Sequence, residues 1–178
     1  HAMFLYNVRT RHHTIGETRL SGERRLAVDI KNILVPVDGP GHSITAAEYA
    51  GELARGVKAA VTLLVVHGAE LKSMEGRHSL TDANQHVLGT KDVAEIAHER
   101  YAEPAFNAAK SVLGSGITVS EVEAWGEADE EICNYITAKN MDLVVMGSRG
   151  MGQFKSMLLG SVSYQVLRKA NAPVLVIR

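Results

Sequence analysis

From Asn32 onward the apolar positions alternate between a strand pattern and a helix pattern. Ile33-Leu34-Val35-Pro36-Val37 is an unbroken apolar run, as expected of a strand covered on both faces. Asp38-Gly39-Pro40-Gly41 breaks it. Ser43 then reads as the cap of a helix whose Ala46, Ala47, Ala50, Leu53, Ala54 and Val57 recur at three- and four-residue steps. Val61 to Val66 predicts a second strand, ended by His67-Gly68. The polar stretch from Ala69 to about Gln85 is too long for an ordinary connection and predicts a lid-like loop. Val93, Ile96, Ala97, Tyr101, Ala105, Ala108 and Val112 trace a long helix. Pro104 removes a backbone donor inside it, which predicts a kink or break near Arg100. After Gly114-Ser115-Gly116, Ile117 to Ala124 alternates like a half-buried strand. Glu127 to Ala138 follows as a helix with Ile132 and Ile136 inward. The apolar run Leu143 to Met146, an amphipathic segment Val162 to Ala170, and a last strand Pro173 to Arg178 complete the series.

Five strands alternating with four helices predict an α/β fold: a parallel sheet with right-handed crossovers and helices on both faces. The pattern alone leaves the strand order open. Upstream, His1-Ala2-Met3 reads as an expression scar with Met3 as a start, and residues 4–29 carry only short apolar patches. The expected division is a scar plus N-terminal extension over 1–30 and one domain over 31–178.

Composition narrows the function classes. A net charge of −1 gives no strongly basic surface, so no nucleic-acid partner is expected. No apolar run approaches the ~20 residues that cross a bilayer, so no membrane partner is expected either. Cys133 is the one cysteine, which excludes an intrachain disulfide and favours a cytoplasmic location; its spacing with Ile132 and Ile136 predicts a buried structural thiol. His12-His13, without a neighbouring Cys or carboxylate cluster, is not read as a metal site.

The chemistry concentrates between Asp142 and Ser163. A strand ends at Gly147, a loop carries Gly150 and Gly152, and Gly160-Ser161 opens a helix. Glycines let main-chain N–H groups approach an anion, and a helix start adds unpaired donors and a favourable dipole. The hydroxyls of Ser161 and Ser163 would lie in the first turn, available to cap the helix or to bond a phosphate oxygen. In parallel sheets ligands occupy the carboxyl ends of strands where the strand order reverses.

The spacing from Gly147 to Gly150, then nine residues to Gly160 and Ser161, matches the G-x2-G-x9-G-[S/T] signature. With Val35-Pro36-Val37-Asp38 closing the first strand and Ala172-Pro173-Val174-Leu175-Val176-Ile177-Arg178 ending the chain, residues 31–178 resemble the ATP-binding universal stress proteins. The resemblance implies strand order 3-2-1-4-5 in a Rossmann-like, adenine nucleotide alpha hydrolase-like sheet, which puts both distinctive stretches in one crevice. It also implies a nucleotide site. Pro36, Val37 and Asp38 would line the adenosine side, with Val66 offering main-chain contacts to adenine. Met146, Gly147, Arg149 and Gly150 would approach ribose and phosphates, and Gly160, Ser161, Val162 and Ser163 would close on the phosphates. The implied ligand is ATP, with ADP or AMP as alternatives and Mg²⁺ bridging the phosphates; no protein metal ligand is assigned. Asp38 alone can be read as a turn residue or as an acceptor for ribose hydroxyls or a metal-bound water. Arg149 is a bidentate phosphate partner or a solvated loop charge, and Lys155 is a weaker candidate of the same kind.

Other nucleotide motifs fail. Gly160-Ser161-Val162-Ser163 has no P-loop lysine, and G-x-G-x-x-G breaks at Ile44 and again at Lys155. A phosphorylatable Asp is missing from the third strand, which ends Glu123-Ala124-Trp125. No nucleophile–base pair is legible among Ser161, His67, His78, His86 and His98, so a dedicated enzyme is not expected. The leading expectation is a cytoplasmic stress-response sensor whose output follows nucleotide occupancy. A scaffold that has lost nucleotide, or a slow ATPase or phosphotransferase, are the rivals. Val174 to Ile177 is apolar and expected at a sheet edge, which predicts a two-fold homodimer through that strand.

Overall fold

A computed structural model describes residues 29–68, 93–150 and 159–178, and the backbone of residues 4–6. The strands are β1 (Phe4–Tyr6), β2 (Asn32–Pro36), β3 (Ala60–His67), β4 (Val119–Trp125), β5 (Leu143–Gly147) and β6 (Val174–Ile177). The helices are α1 (His42–Val57), α2 (Val93–Ala97), α3 (Glu103–Leu113), α4 (Ala128–Lys139) and α5 (Ser161–Lys169), with a π-helical segment, His98–Ala102, joining α2 to α3.

The sheet runs β1-β6-β5-β2-β3-β4. Its five parallel strands, β2 to β6, stand in the order 3-2-1-4-5. Parallel strands need both faces covered, and β2 shows how its sequence meets that demand. Ile33 and Val35 face one core with α1 and α3, whereas Leu34 faces the other with α4 and α5. Ala46, Ala47, Ala50 and Ala54 of α1 are at most 1% exposed. Their small side chains bring that helix close to the sheet, and Phe106 and Leu113 of α3 fill the space beyond.

Three local expectations are revised. Ser43 does not cap α1: the helix begins at His42 after Gly41, whose φ of 116° suits glycine, and the Ser43 hydroxyl donates 2.7 Å back to the Gly39 carbonyl. The irregularity expected from Pro104 takes the form of the π segment, centred on Arg100 and ending two residues before the proline. Cys133 is half-buried at the margin of the second core, not fully enclosed.

The largest revision concerns the sheet edge. β6 is not an edge strand, because β1 pairs with it antiparallel, Phe4 opposite Val176, Leu5 opposite Leu175 and Tyr6 opposite Val174. The backbone groups expected to receive a second copy of the chain are engaged by the chain's own first strand. The lid-like reading of 69–85, Lys155, and His12-His13 fall outside the described residues.

Candidate functional site

The strand order reverses at β2, which has β3 on one side and β5 on the other. Beyond the carboxyl ends of β2 and β5 the chain turns away on opposite faces of the sheet, and a cavity of about 190 Å³ opens there. Eleven of the twelve residues singled out from the sequence line it: Pro36, Val37, Asp38, Val66, Met146, Gly147, Arg149, Gly150, Gly160, Val162 and Ser163. Ser161 does not. It is exposed on the first turn of α5.

Each lining residue is held there by a local cause. Val37 N–H donates 2.9 Å to the Leu64 carbonyl, extending the β2–β3 ladder one residue past β2 and aiming Asp38 at the cavity mouth. Peptide groups alternate in direction along a strand. Because Leu64 points its carbonyl toward β2, Val66 points its peptide groups the same way, where β2 has already ended. Those groups therefore face the cavity.

At two glycines an added side chain would meet a close neighbour. A methyl on Gly147 would fall 2.7 Å from the His42 carbonyl carbon, because the end of β5 lies directly against the first turn of α1. A methyl on Gly150 would lie 2.5 Å from the Asp38 carboxylate. Asp38 and Gly150 thus share one side of the cavity, and a side chain at position 150 would displace the Asp38 carboxylate. This brings the ends of two strands more than a hundred residues apart into one wall.

α5 is tied to the same wall. Gly160 N–H donates 2.7 Å to the Ser148 carbonyl, and the Ser163 hydroxyl donates 2.8 Å to the Gly147 carbonyl. The Ser163 hydroxyl proton is therefore committed to the main chain, which revises its expected phosphate contact. The first intrahelical bond of α5 runs from Tyr164 N–H to the Gly160 carbonyl. The N–H groups of Val162 and Ser163 precede it and are donors that a helix start leaves for a ligand. The hydroxyl of Ser148 is buried without a hydrogen-bond partner.

Ser43, Leu64, Ala128 and Ile132 also line the cavity and were not singled out. Ala128 and Ile132 come from the first turns of α4, so one helix roofs the cavity from the β4 side. Ile132 carried a signal, its inward position on that helix, but periodicity does not say which end of a helix overhangs a site. Among the described residues no group of three or more His, Cys, Asp or Glu could hold a metal ion, and the cavity lining contains no histidine or cysteine. An apolar floor, one carboxylate, one guanidinium and a glycine-lined helix start can bind a small anionic molecule that also has an apolar, hydroxyl-bearing part.

A doubly wound parallel sheet with its crevice at the strand-order reversal and a glycine loop feeding a helix start defines a Rossmann-like α/β protein. The model of the universal stress protein family matches residues 29–178, and the chain belongs to that family. Universal stress protein Rv1636 of Mycobacterium tuberculosis is 30% identical over 148 residues, covering 83% of this chain and 95% of the relative. The structure of MJ0577 from Methanocaldococcus jannaschii is 30% identical, with a TM-score of 0.65 over 84% of this chain and 96% of that one. A universal stress protein solved in complex with cAMP, 22% identical, shares the fold with a TM-score of 0.57 over 84% of this chain and 98% of its own.

Proposed function

We propose that the protein binds an adenine nucleotide, ATP with ADP and AMP as weaker alternatives, in this crevice and acts in stress-response signalling through the occupied and empty states. The observation that carries the reading is the single wall made by Asp38, Gly150 and the start of α5. It offers a carboxylate for ribose hydroxyls beside main-chain donors for phosphate. Leu64, Val66, Ile132 and Met146 supply an apolar bed for a purine, and the Val66 peptide groups can bond its edge. The enclosed volume of about 190 Å³ is below the usual range of roughly 300–1,000 Å³ for ligand pockets, so it suits the nucleoside end, with phosphates extending toward α5. Arg149, on the lining, is the cation for those phosphates.

Mg²⁺ would be carried by the phosphates, with Asp38 as the protein carboxylate at hand. The adenine preference is shared in kind with the cAMP complex of the related protein. Binding, not turnover, is the proposed activity, in a cytoplasmic setting. Self-association through β6 would first require β1 to leave its place.

The test is to denature purified protein, identify any released small molecule by mass spectrometry, and titrate the refolded protein with Mg-ATP calorimetrically. ATP, ADP or AMP in near-stoichiometric amount, or saturable binding abolished in Gly160→Val, supports the reading. No nucleotide and no binding heat overturns it.

A further inference from the structure

On the face of the sheet opposite Val66, a second polar cluster connects β3, β4 and the π segment. The parallel register sets His67 beside Trp125, and Glu123 lies two residues before Trp125 on the same face. His67 Nε2 is 2.6 Å from Glu123 Oε2, and His98 Nδ1 is 2.6 Å from Glu123 Oε1. Each carboxylate oxygen therefore serves one imidazole. His67 is 2% exposed at its side chain, Glu123 26% and His98 48%, so the cluster runs from the interior to solvent. The His67 ring packs against Trp125, tilted by 35° with centroids 4.6 Å apart.

We propose that His67, Glu123 and His98 form a proton-operated clip that fastens the π segment to the back of the sheet and responds to pH near neutrality. His98 opens the π segment, where the helix is least regular. The Glu123 carboxylate is its anchor across the helix–sheet interface.

The charge states give the clip its direction. With both imidazoles neutral, the carboxylate accepts two ordinary N–H bonds. Protonation of His98 converts one of these into an ion pair, a stronger bond than its neutral counterpart. Protonation of the carboxylate removes acceptor capacity that both rings need. Among the described residues, the other charged groups facing the cluster are Glu103 of α3 and Glu121 of β4, and Glu121 is itself paired with Lys110 at 2.6 Å.

The electrostatics agree in direction. The hydrogen bond to Glu123 raises the His98 pKa above its ordinary 6.5, against a smaller opposing effect of burial and with help from the Glu123, Glu103 and Glu121 charges. Burial pushes the Glu123 carboxyl up, but the bonds from His67 and His98 outweigh it and leave the carboxyl below its ordinary 4.5. The His98 contribution is thus full below pH 6.5 and is lost as pH rises through the raised value. The Glu123 contribution is present above 4.5 and is lost as pH falls through the lowered value. The clip holds best between these limits, and mild acidification from neutral pH tightens it.

Trp125 is the chain's one tryptophan, so its emission reports on the imidazole packed against it. The experiment follows Trp125 fluorescence and the imidazole proton resonances of the full chain from pH 5 to 9. The His98 signal is assigned by its loss in His98→Asn. The parent should show His98 titrating above 6.5, a Trp125 transition at the same pH, and stronger amide exchange protection over 98–103 at pH 6 than at pH 8 after correction for intrinsic rates. In Glu123→Gln, which keeps the shape but not the charge, the His98 titration should fall by at least half a unit. Should that variant fail to fold, His98→Asn, altered at a half-exposed site, must abolish the pH-dependent protection. Unchanged His98 titration in Glu123→Gln, flat Trp125 emission in the parent, or equal protection at both pH values in the parent overturns the proposal.

Discussion

Gly51 lies midway along α1, buried against the end of α3, and its replacement by alanine sets two effects against each other. In an exposed helix interior, glycine to alanine gains roughly 1 kcal/mol because alanine confines the unfolded chain more. Here the added methyl would run into the Leu113 carbonyl and lie 2.9 Å from the Leu113 Cα, both backbone atoms that cannot rotate away. Overpacking of this kind costs about 1–3 kcal/mol. The same carbonyl accepts a hydrogen bond from Arg55, one turn further along α1, and displacing it weakens a charge-assisted bond of about 1.5–3 kcal/mol. The net expectation is a loss of about 2 kcal/mol, or a Tm lower by roughly 4–8 °C for a chain of this size. Gly56 is the control, since it sits in the same helix with open space where a methyl would go. Gly56→Ala should raise stability by about 0.5–1 kcal/mol. Urea denaturation of parent and both variants measures this, with unchanged slope showing that only native stability moved. If Gly51→Ala were as stable as Gly56→Ala, the close approach of α1 to α3 would be refuted.

Gly150→Ala meets only the mobile end of the Asp38 side chain, so Tm should stay within about 2 °C while ATP affinity by calorimetry falls at least about tenfold; unchanged affinity would remove Asp38 from the proposed site. Leu5→Pro should prevent β1 from pairing with β6, since proline cannot donate to a ladder. Light scattering should then detect concentration-dependent dimer in the variant and monomer in the parent, and identical masses would count against β1 as the barrier. Burial, assisted by the Asp129 charge, holds the Cys133 thiol above its ordinary pKa of 9.0. Its reaction with a disulfide reagent should be about tenfold slower than that of a free thiol at pH 8 and still rising beyond pH 9; a plateau near pH 8 would contradict the burial.

The parts of the fold legible in sequence are those whose cause is local or repeated. The continuous apolar runs of β2 and β5 reflect burial on both faces, and the alanine spacing of α1 reflects one packed side. The crevice lining was legible because Asp38 and Gly147 terminate the two strands between which the order reverses, a place fixed once the order is known. Contacts that join distant segments without a periodic signal were not. Glu123 lies 56 residues from His67 and 25 from His98, and the histidines appear scattered until β3, β4 and the π segment bring them to one carboxylate. The inward turn of the Ser163 hydroxyl depends on how closely α5 approaches Gly147, which spacing does not encode. The position of β1 was illegible for the same reason: three residues carry no period, and their partner is at the other end of the chain.

That last pairing has a consequence for how the protein is made. Phe4 leaves the ribosome about 170 residues ahead of Val176, an interval on the order of ten to thirty seconds at usual elongation rates. Through that time the first strand has no complementary edge to join, while the β2–β3 and β3–β4 pairs can already form. β1 thus emerges long before its partner and is among the last strands to be placed, and closing so long a loop is entropically slow. A nascent chain stalled before Val174 would present both an unpaired β5 edge and an unclaimed Phe-Leu-Tyr strand, a species suited to capture by chaperones. Emergence of β6 closes both at once.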